Sequence, residues 1–310
     1  MQPIIDPVDR RLLEKELNNQ RFVRKANNGQ NVIYIVTVHN SPNVLREIGR
    51  VRELTFRAAG GGTGKPFDLD EFDLIDNCYH QLIVWNDEDK EIVGGYRFIR
   101  CANAAPDAKH QFKLATTELF YFSEKFVSDY LPFTIELGRS FVQPQYQPTA
   151  DNRKGLFSLD NLWDGLGAIA VDNPDIRYFF GKVTMYLHFN RMARDMILSF
   201  MHHYFPDREK LVYPLHPLKI EHPMDDFINQ LKGLSYKDGH HLLNKQVRAL
   251  GENIPPLFNS YMNLSPSMKT FGTALNAEFG DVEETGILVT LADIYESKKA
   301  RHVNTYKNKG

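Results

Sequence analysis

The sequence predicts an α+β protein. Short β-branched and aromatic runs lie near one another, two of them joined as a hairpin, and amphipathic helical stretches flank them. An opening helix over about residues 7–19 follows Asp6 and Pro7, a cap and a first-turn proline, with Val8, Leu12, Leu13 and Leu17 at helical spacing. Residues 31–38 are a β-branched run that reads as a buried strand. Residues 44–58 are helical again, with Leu45, Ile48, Val51, Leu54 and Thr55 on one side and Arg46, Arg50 and Arg52 elsewhere. A glycine-rich loop (60–64) and an acidic loop (68–76) precede two strands, 81–85 and 92–99, whose connection Asn86–Lys90 signals a hairpin. A further strand, 133–142, ends before Pro144. Then come a helix (156–171), a strand (178–187), an amphipathic helix (190–204), mixed helices after Pro214 and a late strand (285–291). That last strand can complete the central sheet. The expectation is therefore one domain over 1–310, with an N-terminal helix and a helical insertion at about 215–262.

Composition narrows the function classes. The 310 residues carry 37 Lys+Arg against 39 Asp+Glu, a net charge of −2, which excludes a generally basic nucleic-acid coat. No run approaches the roughly 20 apolar residues of a membrane span, and the start lacks the apolar centre of a signal peptide. Two cysteines, Cys78 and Cys101, argue against a disulfide framework and fit a reducing compartment, so a cytoplasmic protein is expected. The 21 Phe and 14 Tyr suit either a thick core or an apolar ligand channel.

Several local signals point elsewhere and are weighed down. Gly60–Lys65 suggests a phosphate loop, but Ala59 and Pro66 occupy its first and last positions and the magnesium ligand is missing; a flexible lid fits better. His202 lies five residues before Asp207, the spacing of the glycerolipid acyltransferase dyad, without that group's downstream motifs, so it reads as a surface or capping histidine. His202-His203 and His240-His241 make no zinc motif, and no metal site is expected. The tail Lys298, Lys299, Arg301, Lys307 and Lys309 is basic; it is a solvated end that could also touch an anionic membrane surface or an acidic carrier protein.

Three pieces in order carry more weight. They are Arg52-Glu-Leu-Thr-Phe56 on the helix before the glycine loop; Asp68-Leu-Asp70-Glu-Phe-Asp73 followed by the hairpin with Gly94-Gly-Tyr-Arg97; and Ile135-Glu136-Leu-Gly-Arg139-Ser-Phe-Val142. This order resembles the homoserine-lactone autoinducer synthases, except that Ser140 separates Arg139 from Phe141. It is more similar to the hemolysin-like N-acyltransferases that acylate ornithine or glycine in aminolipid synthesis. That group shares the acidic loop, a histidine before the hairpin (His80) and the Glu-Leu-Gly-Arg strand. It also shares a helix like Leu159–Gly167, Phe180-Gly181, Ile254–Tyr261 and Phe279-Gly280, so the similarity spans about residues 44–291. The resemblance implies a GNAT-like acyltransferase fold: a mixed, mostly antiparallel sheet flanked by helices. The acetyl-CoA loop of that fold is absent, and Gln143–Pro148 stands in its place. The implied donor is therefore an acyl chain on acyl carrier protein, with acyl-CoA as the other donor substrate and no bound cofactor.

The implied activity moves a long, optionally 3-hydroxylated acyl chain onto the amine of glycine or ornithine. Acyl transfer from a thioester needs a deprotonated amine, an oxyanion stabiliser and a leaving thiol. Glu136 in its apolar strand is the candidate base, with a structural ion pair to Arg139 as its alternative role. Glu136 and Arg139 are named as catalytic, although strict strand alternation sets them on opposite faces unless a bulge intervenes. Arg52, Phe56, Asp70, Asp73, His80 and Arg97 are named as substrate-binding. Arg97 and Arg139 sit in apolar strands where an unpaired charge is costly, so they require carboxylates from the acidic loop or from the acceptor. Cys78 and His80, two apart, share a face if the strand starts early, as a core pair or a Cys-His nucleophile. Expected partners are acyl carrier protein and the amino acid, with peripheral contact at the inner membrane allowed and no nucleic acid. The rival functions are autoinducer synthesis and a non-catalytic lipid- or carrier-binding module.

Overall fold

The computed structural model describes residues 1–104, 112–147 and 155–307; Pro148 and Lys309 lie outside them. In chain order its elements are α1 (Arg10–Glu16), β1 (Phe22–Lys25), β2 (Asn31–Val36), α2 (Pro42–Ala58), α3 (Glu71–Leu74), β3 (His80–Asn86), β4 (Glu91–Arg100), β5 (Phe120–Phe122) and β6 (Thr134–Val142). Then follow α4 (Ser158–Asp172), β7 (Tyr178–Met185), α5 (Arg191–Tyr204), β8 (Val212–Pro214), α6 (Asp225–Leu231), α7 (Tyr236–Ala249), α8 (Pro256–Met262), β9 (Lys269–Asn276), β10 (Val282–Thr290) and α9 (Glu296–His302). They fall into two compact units: Met1–Ala115 with Leu131–Arg177 and Glu296–Gly310, and Thr116–Tyr130 with Tyr178–Tyr295. No helix among the described residues is long and apolar enough to cross a membrane.

In the first unit β1, β2, β3, β4 and β6 pair in that order, each antiparallel to its neighbour. The expected hairpin is β3–β4, and its turn is closed by the Asn86 side chain, which accepts the backbone N–H groups of Glu88 and Asp89. Helix α2 buries Leu45, Ile48 and Val51 completely, each worth about 1.5–3 kcal/mol in area removed from water. Its start has no side-chain cap from Ser41. Glu16 at the end of α1 takes that role, accepting the N–H groups of Asn43 and Val44 at 3.2 and 2.8 Å.

Helix α4 packs on the sheet face that carries Leu82. A Cβ at Gly165 would fall 2.6 Å from a Leu82 methyl, so a larger residue there would have to push the buried Leu82 side chain aside. The residue before Gly165, Asp164, accepts both the backbone and side-chain N–H groups of Asn27 and pairs with His302 of α9 at 2.7 Å. The helix motif that marked the resemblance thus fastens β1 and α9 to the sheet.

The second unit holds β7, β10 and β9, antiparallel in that order, and the two-stranded β5–β8 pair. Phe122, Phe126, Phe180 and Phe271 form its buried aromatic centre. Arg194 is buried there between Glu283 at 2.8 Å and Asp195 at 2.7 Å. His202 is exposed near the end of α5, while Asp207 accepts backbone N–H groups from Glu209 and Val212. Helices α6 to α8 occupy the stretch read as a helical insertion. Four strands escaped the sequence, among them β1, whose four residues Phe-Val-Arg-Lys show no clear alternation. β5 and β8 have three residues each, and β9 carries lysine, threonine and glycine instead of a β-branched run.

Candidate active site

The site grows from one irregularity in β6. Its pairing with β4 runs Ile99 to Glu136 and Arg97 to Gly138, then shifts so that Gly95 faces Phe141. Two residues of β4 thus span three of β6, a β-bulge with Arg139 at φ 47° in the left-handed region. The bulge corrects strict alternation. Glu136 and Gly138 share a face with Arg97, and Arg139 is turned toward the same carboxylates that Arg97 holds. Opposite the bulge β4 has Gly94 and Gly95. A Cβ at Gly94 would lie 2.4 Å from the Phe141 carbonyl oxygen, which explains the glycine pair in the motif.

Three arginines and three aspartates close into a ring of alternating charge. Arg52 bridges Asp68 at 3.0 Å and Asp73 at 3.3 Å; Arg97 bridges Asp73 at 3.3 Å and Asp70 at 2.7 Å; Arg139 bridges Asp70 at 3.5 Å and Asp68 at 2.9 Å. The elements that supply them differ. Arg52 comes from α2, Arg97 from β4, Arg139 from the bulge, Asp68 and Asp70 from the loop before α3, and Asp73 from α3 itself. Arg52, which the helix pattern set off the apolar side, is fully buried, because its partners lie in the core and not in solvent.

Burial alone would raise the Asp68 and Asp73 carboxyls, but the neighbouring arginines outweigh it and hold both below the ordinary carboxylate range. In the same way burial works against the Arg97 charge, and Asp70 and Asp73 overcome it. The ring is not equally enclosed. The side chains of Asp68 and Asp73 are wholly buried, whereas those of Asp70 and Arg139 are 29% and 13% exposed, so the ring meets solvent along that edge.

Glu136 sits two residues before Gly138 on this face, about 7 Å along the strand. It is buried, and its carboxylate accepts the Tyr79 hydroxyl. The Tyr79 ring lies beneath the Arg97 guanidinium, 5.1 Å from Cζ to the ring centre, and packs edge-on to Phe72 of α3. Phe56, one turn beyond Arg52, meets Phe141 edge-on at 6.5 Å and forms an apolar wall beside the bulge.

The structure therefore brings together Arg52, Asp70, Asp73, Arg97 and Arg139, with Glu136 joined to them through Tyr79. His80 stands apart. It occupies the other sheet face, exposed, with its ring 5.3 Å from that of Phe98. The expected Cys78–His80 pair is corrected as well: β3 begins at His80, Cys78 is buried, and burial pushes its thiol up, away from a reactive thiolate. Sequence reasoning missed Tyr79 and Gln81, whose amide donates to Asp73 at 2.9 Å. Asp68 was seen only as part of an acidic stretch. Their signal lay in position, just before and at the start of the strand that faces Arg97.

The lid expected at the glycine loop is also corrected. The buried carboxylate of Glu53 accepts Thr63 N–H and hydroxyl at 3.0 and 2.8 Å, Gly64 N–H at 2.8 Å and Arg57 Nε at 2.7 Å. A side-chain carboxylate thus takes up these loop donors and pins the loop. No group of three or more His, Cys, Asp or Glu among the described residues could hold a metal ion.

Comparison with known proteins gives this geometry a setting. The acetyltransferase (GNAT) domain family matches residues 51–152, which include every member of the ring and Glu136. A glycine N(alpha)-acyltransferase of Bacteroides thetaiotaomicron is 52% identical over 306 residues, covering 99% of this chain and 91% of that protein. Among solved structures, FeeM, an N-acyl amino acid synthase from uncultured soil microbes, aligns with a TM-score of 0.40 at 10% identity, covering 89% of this chain and 95% of that one. BjaI, a CoA-dependent acyl-homoserine lactone synthase with SAM and isopentyl-CoA, aligns at 0.36 and 11%, covering 88% of each. The fold is the GNAT-like α+β fold, with a mostly antiparallel sheet flanked by helices. The expected acyl carrier protein partner stands contradicted in this comparison, where BjaI is described as a CoA-dependent synthase. The inference from Gln143–Pro148 was weak in its chemistry, since either carrier presents its acyl group as a thioester on the same pantetheine arm. Gln143 and Tyr146 instead dock this segment onto β4 and its hairpin, through the Ile92 carbonyl and Asp89.

Proposed function

This chain belongs to the glycine N(alpha)-acyltransferase family of GNAT-fold N-acyltransferases, and we propose that it joins a long acyl chain, held as a thioester, to the amine of glycine. The observation that carries the acceptor assignment is the solvent-facing edge of the charge ring. Arg139 and Asp70 stand 3.5 Å apart there, one positive and one negative. A small amino acid carries the complementary pair at similar spacing, so its carboxylate matches the Arg139 fork and its ammonium matches Asp70. An acceptor with a long cationic side chain would bring a second positive charge toward Arg97 and Arg139, which favours glycine over ornithine.

In this scheme the ammonium releases one proton to Glu136 by way of water, the amine nitrogen attacks the thioester carbonyl, and an N–C bond forms as the C–S bond breaks. The departing thiolate takes up the second proton, which the nitrogen loses as the amide forms. The buried arginines hold the acidic loop in place so that Asp70 needs no rearrangement to receive the acceptor. The test incubates purified protein with a long-chain acyl-CoA and either glycine or ornithine, and identifies the product by mass spectrometry. N-acylglycine is expected from wild-type protein, with at least a tenfold lower yield from Asp70→Asn and from Arg139→Gln. Preferential acylation of ornithine, or unchanged use of glycine by both variants, would overturn the acceptor assignment.

A further inference from the structure

We propose that Tyr79 is the positioning residue for Glu136: it fixes the direction of the carboxylate that takes the acceptor's proton. The inference rests on the proposed reading of Glu136 as base. It starts from where the phenol hydrogen must point. The Tyr79 oxygen accepts the backbone N–H of Ala115 at 3.0 Å, and its own O–H donates to Oε2 of Glu136. With one lone pair committed to Ala115, the hydroxyl has a set rotor, and the carboxylate is held in one plane.

The ring of Tyr79 is itself over-determined. It is 1% exposed, lies under Arg97, meets Phe72 edge-on, and its backbone N–H donates to the Phe72 carbonyl at 2.8 Å. Tyr79 thus ties the helix that carries Asp73, the strand that carries Arg97 and the strand that carries Glu136. Burial, together with the Glu136 charge, pushes the phenol well above its ordinary range, so it stays a donor at neutral pH. A neutral donor suits this task. It favours the ionised carboxylate in a buried place without cancelling its charge as an arginine would.

The sequence around it agrees. Tyr79 precedes the first strand residue, where alternation is not yet set, and its side chain reaches the Glu136 face while His80 takes the other. A tyrosine serving only as core filler could be replaced by phenylalanine without consequence for turnover.

The experiment compares wild type, Tyr79→Phe, Glu136→Gln and the double variant. Tyr79→Phe keeps the ring beneath Arg97 and removes one oxygen. The expected result is a tenfold to hundredfold lower kcat with KM for glycine within about twofold, and no further loss when Tyr79→Phe is added to Glu136→Gln. A Tyr79→Phe protein with kcat within twofold of wild type, or losses that multiply in the double variant, would overturn the proposal. The same relation can be read without turnover. In infrared difference spectra between Glu136 and Glu136→Gln proteins, the carboxylate stretch should shift when the phenol is removed, and an unshifted band would count against Tyr79. If wild-type protein makes no N-acylglycine, the acceptor assignment fails, and the infrared band still decides the role of Tyr79.

Discussion

Arg52 and Asp73 are both fully buried, and the two terminal nitrogens of the guanidinium each approach one carboxylate oxygen at 3.3 Å. This fork joins α2 to α3 and, through Asp73, to Arg97 in the sheet. Breaking such a pair by removing one partner leaves the other charge without compensation. Arg52→Met should therefore destabilise the protein by about 3–5 kcal/mol, measured by urea unfolding. A loss below about 1 kcal/mol would show that water reaches the ring and replaces the arginine.

The ring also sets an acid limit. Asp68 and Asp73 are held below their unfolded value, near 3.8, so their contribution is complete above that pH. It is lost as pH falls further, toward their depressed folded values, because the unfolded chain then binds more protons. Stability should stay level down to about pH 4 from this source and drop below it. Asp73→Asn should lower stability at neutral pH and flatten that acid drop, as followed by thermal unfolding at a series of pH values.

Arg139 is expected to act on the acceptor more than on the fold. Its side chain is at the open edge of the ring, and Asp68 keeps a second arginine, Arg52, when Arg139 is changed. Arg139→Gln should raise KM for glycine at least tenfold while shifting the melting temperature by only a few degrees. Steady-state kinetics at varied glycine, with a melting curve beside them, checks both parts.

Glu53 holds the glycine loop. Changing it to Ala leaves the N–H groups of Thr63 and Gly64 without their buried acceptor, at a cost of about 2–4 kcal/mol. Limited proteolysis should then cut within residues 60–64, where the wild-type protein is expected to resist cleavage. Equal resistance in Glu53→Ala would show that other contacts suffice to hold the loop.

Gly167 lets α9 lie on α4. A Cβ there would sit 2.2 Å from the His302 carbonyl oxygen, and backbone on backbone leaves no side chain to move aside. Gly167→Ala should release the segment 296–307 or cost about 1–3 kcal/mol, despite the better helix propensity of alanine. Hydrogen exchange at the α9 amides separates this outcome from a uniform loss of stability.

Much of this was legible from residues alone. Hydrophobic alternation and β-branching are local properties, so β2, β3, β4, β6 and the helices α2, α4 and α5 stand where the pattern set them, to within a few residues at their ends. Charge in an apolar strand was also informative. Arg97 had to find a carboxylate, and the acidic loop was at hand. Short strands such as β5 and β8 left no such trace, because three residues are too few for a period.

The sequence by itself determined the strand that holds Glu136 and Arg139 and the acidic loop that answers the arginines. Only the tertiary structure decided which way those two residues face. A bulge is a mismatch in count between two paired strands, here two residues of β4 against three of β6, so it does not exist until the register is formed. The same holds for Tyr79. Its oxygen finds Ala115 and Glu136 at separations of 36 and 57 residues, and contacts made over such distances follow from packing, not from any local pattern.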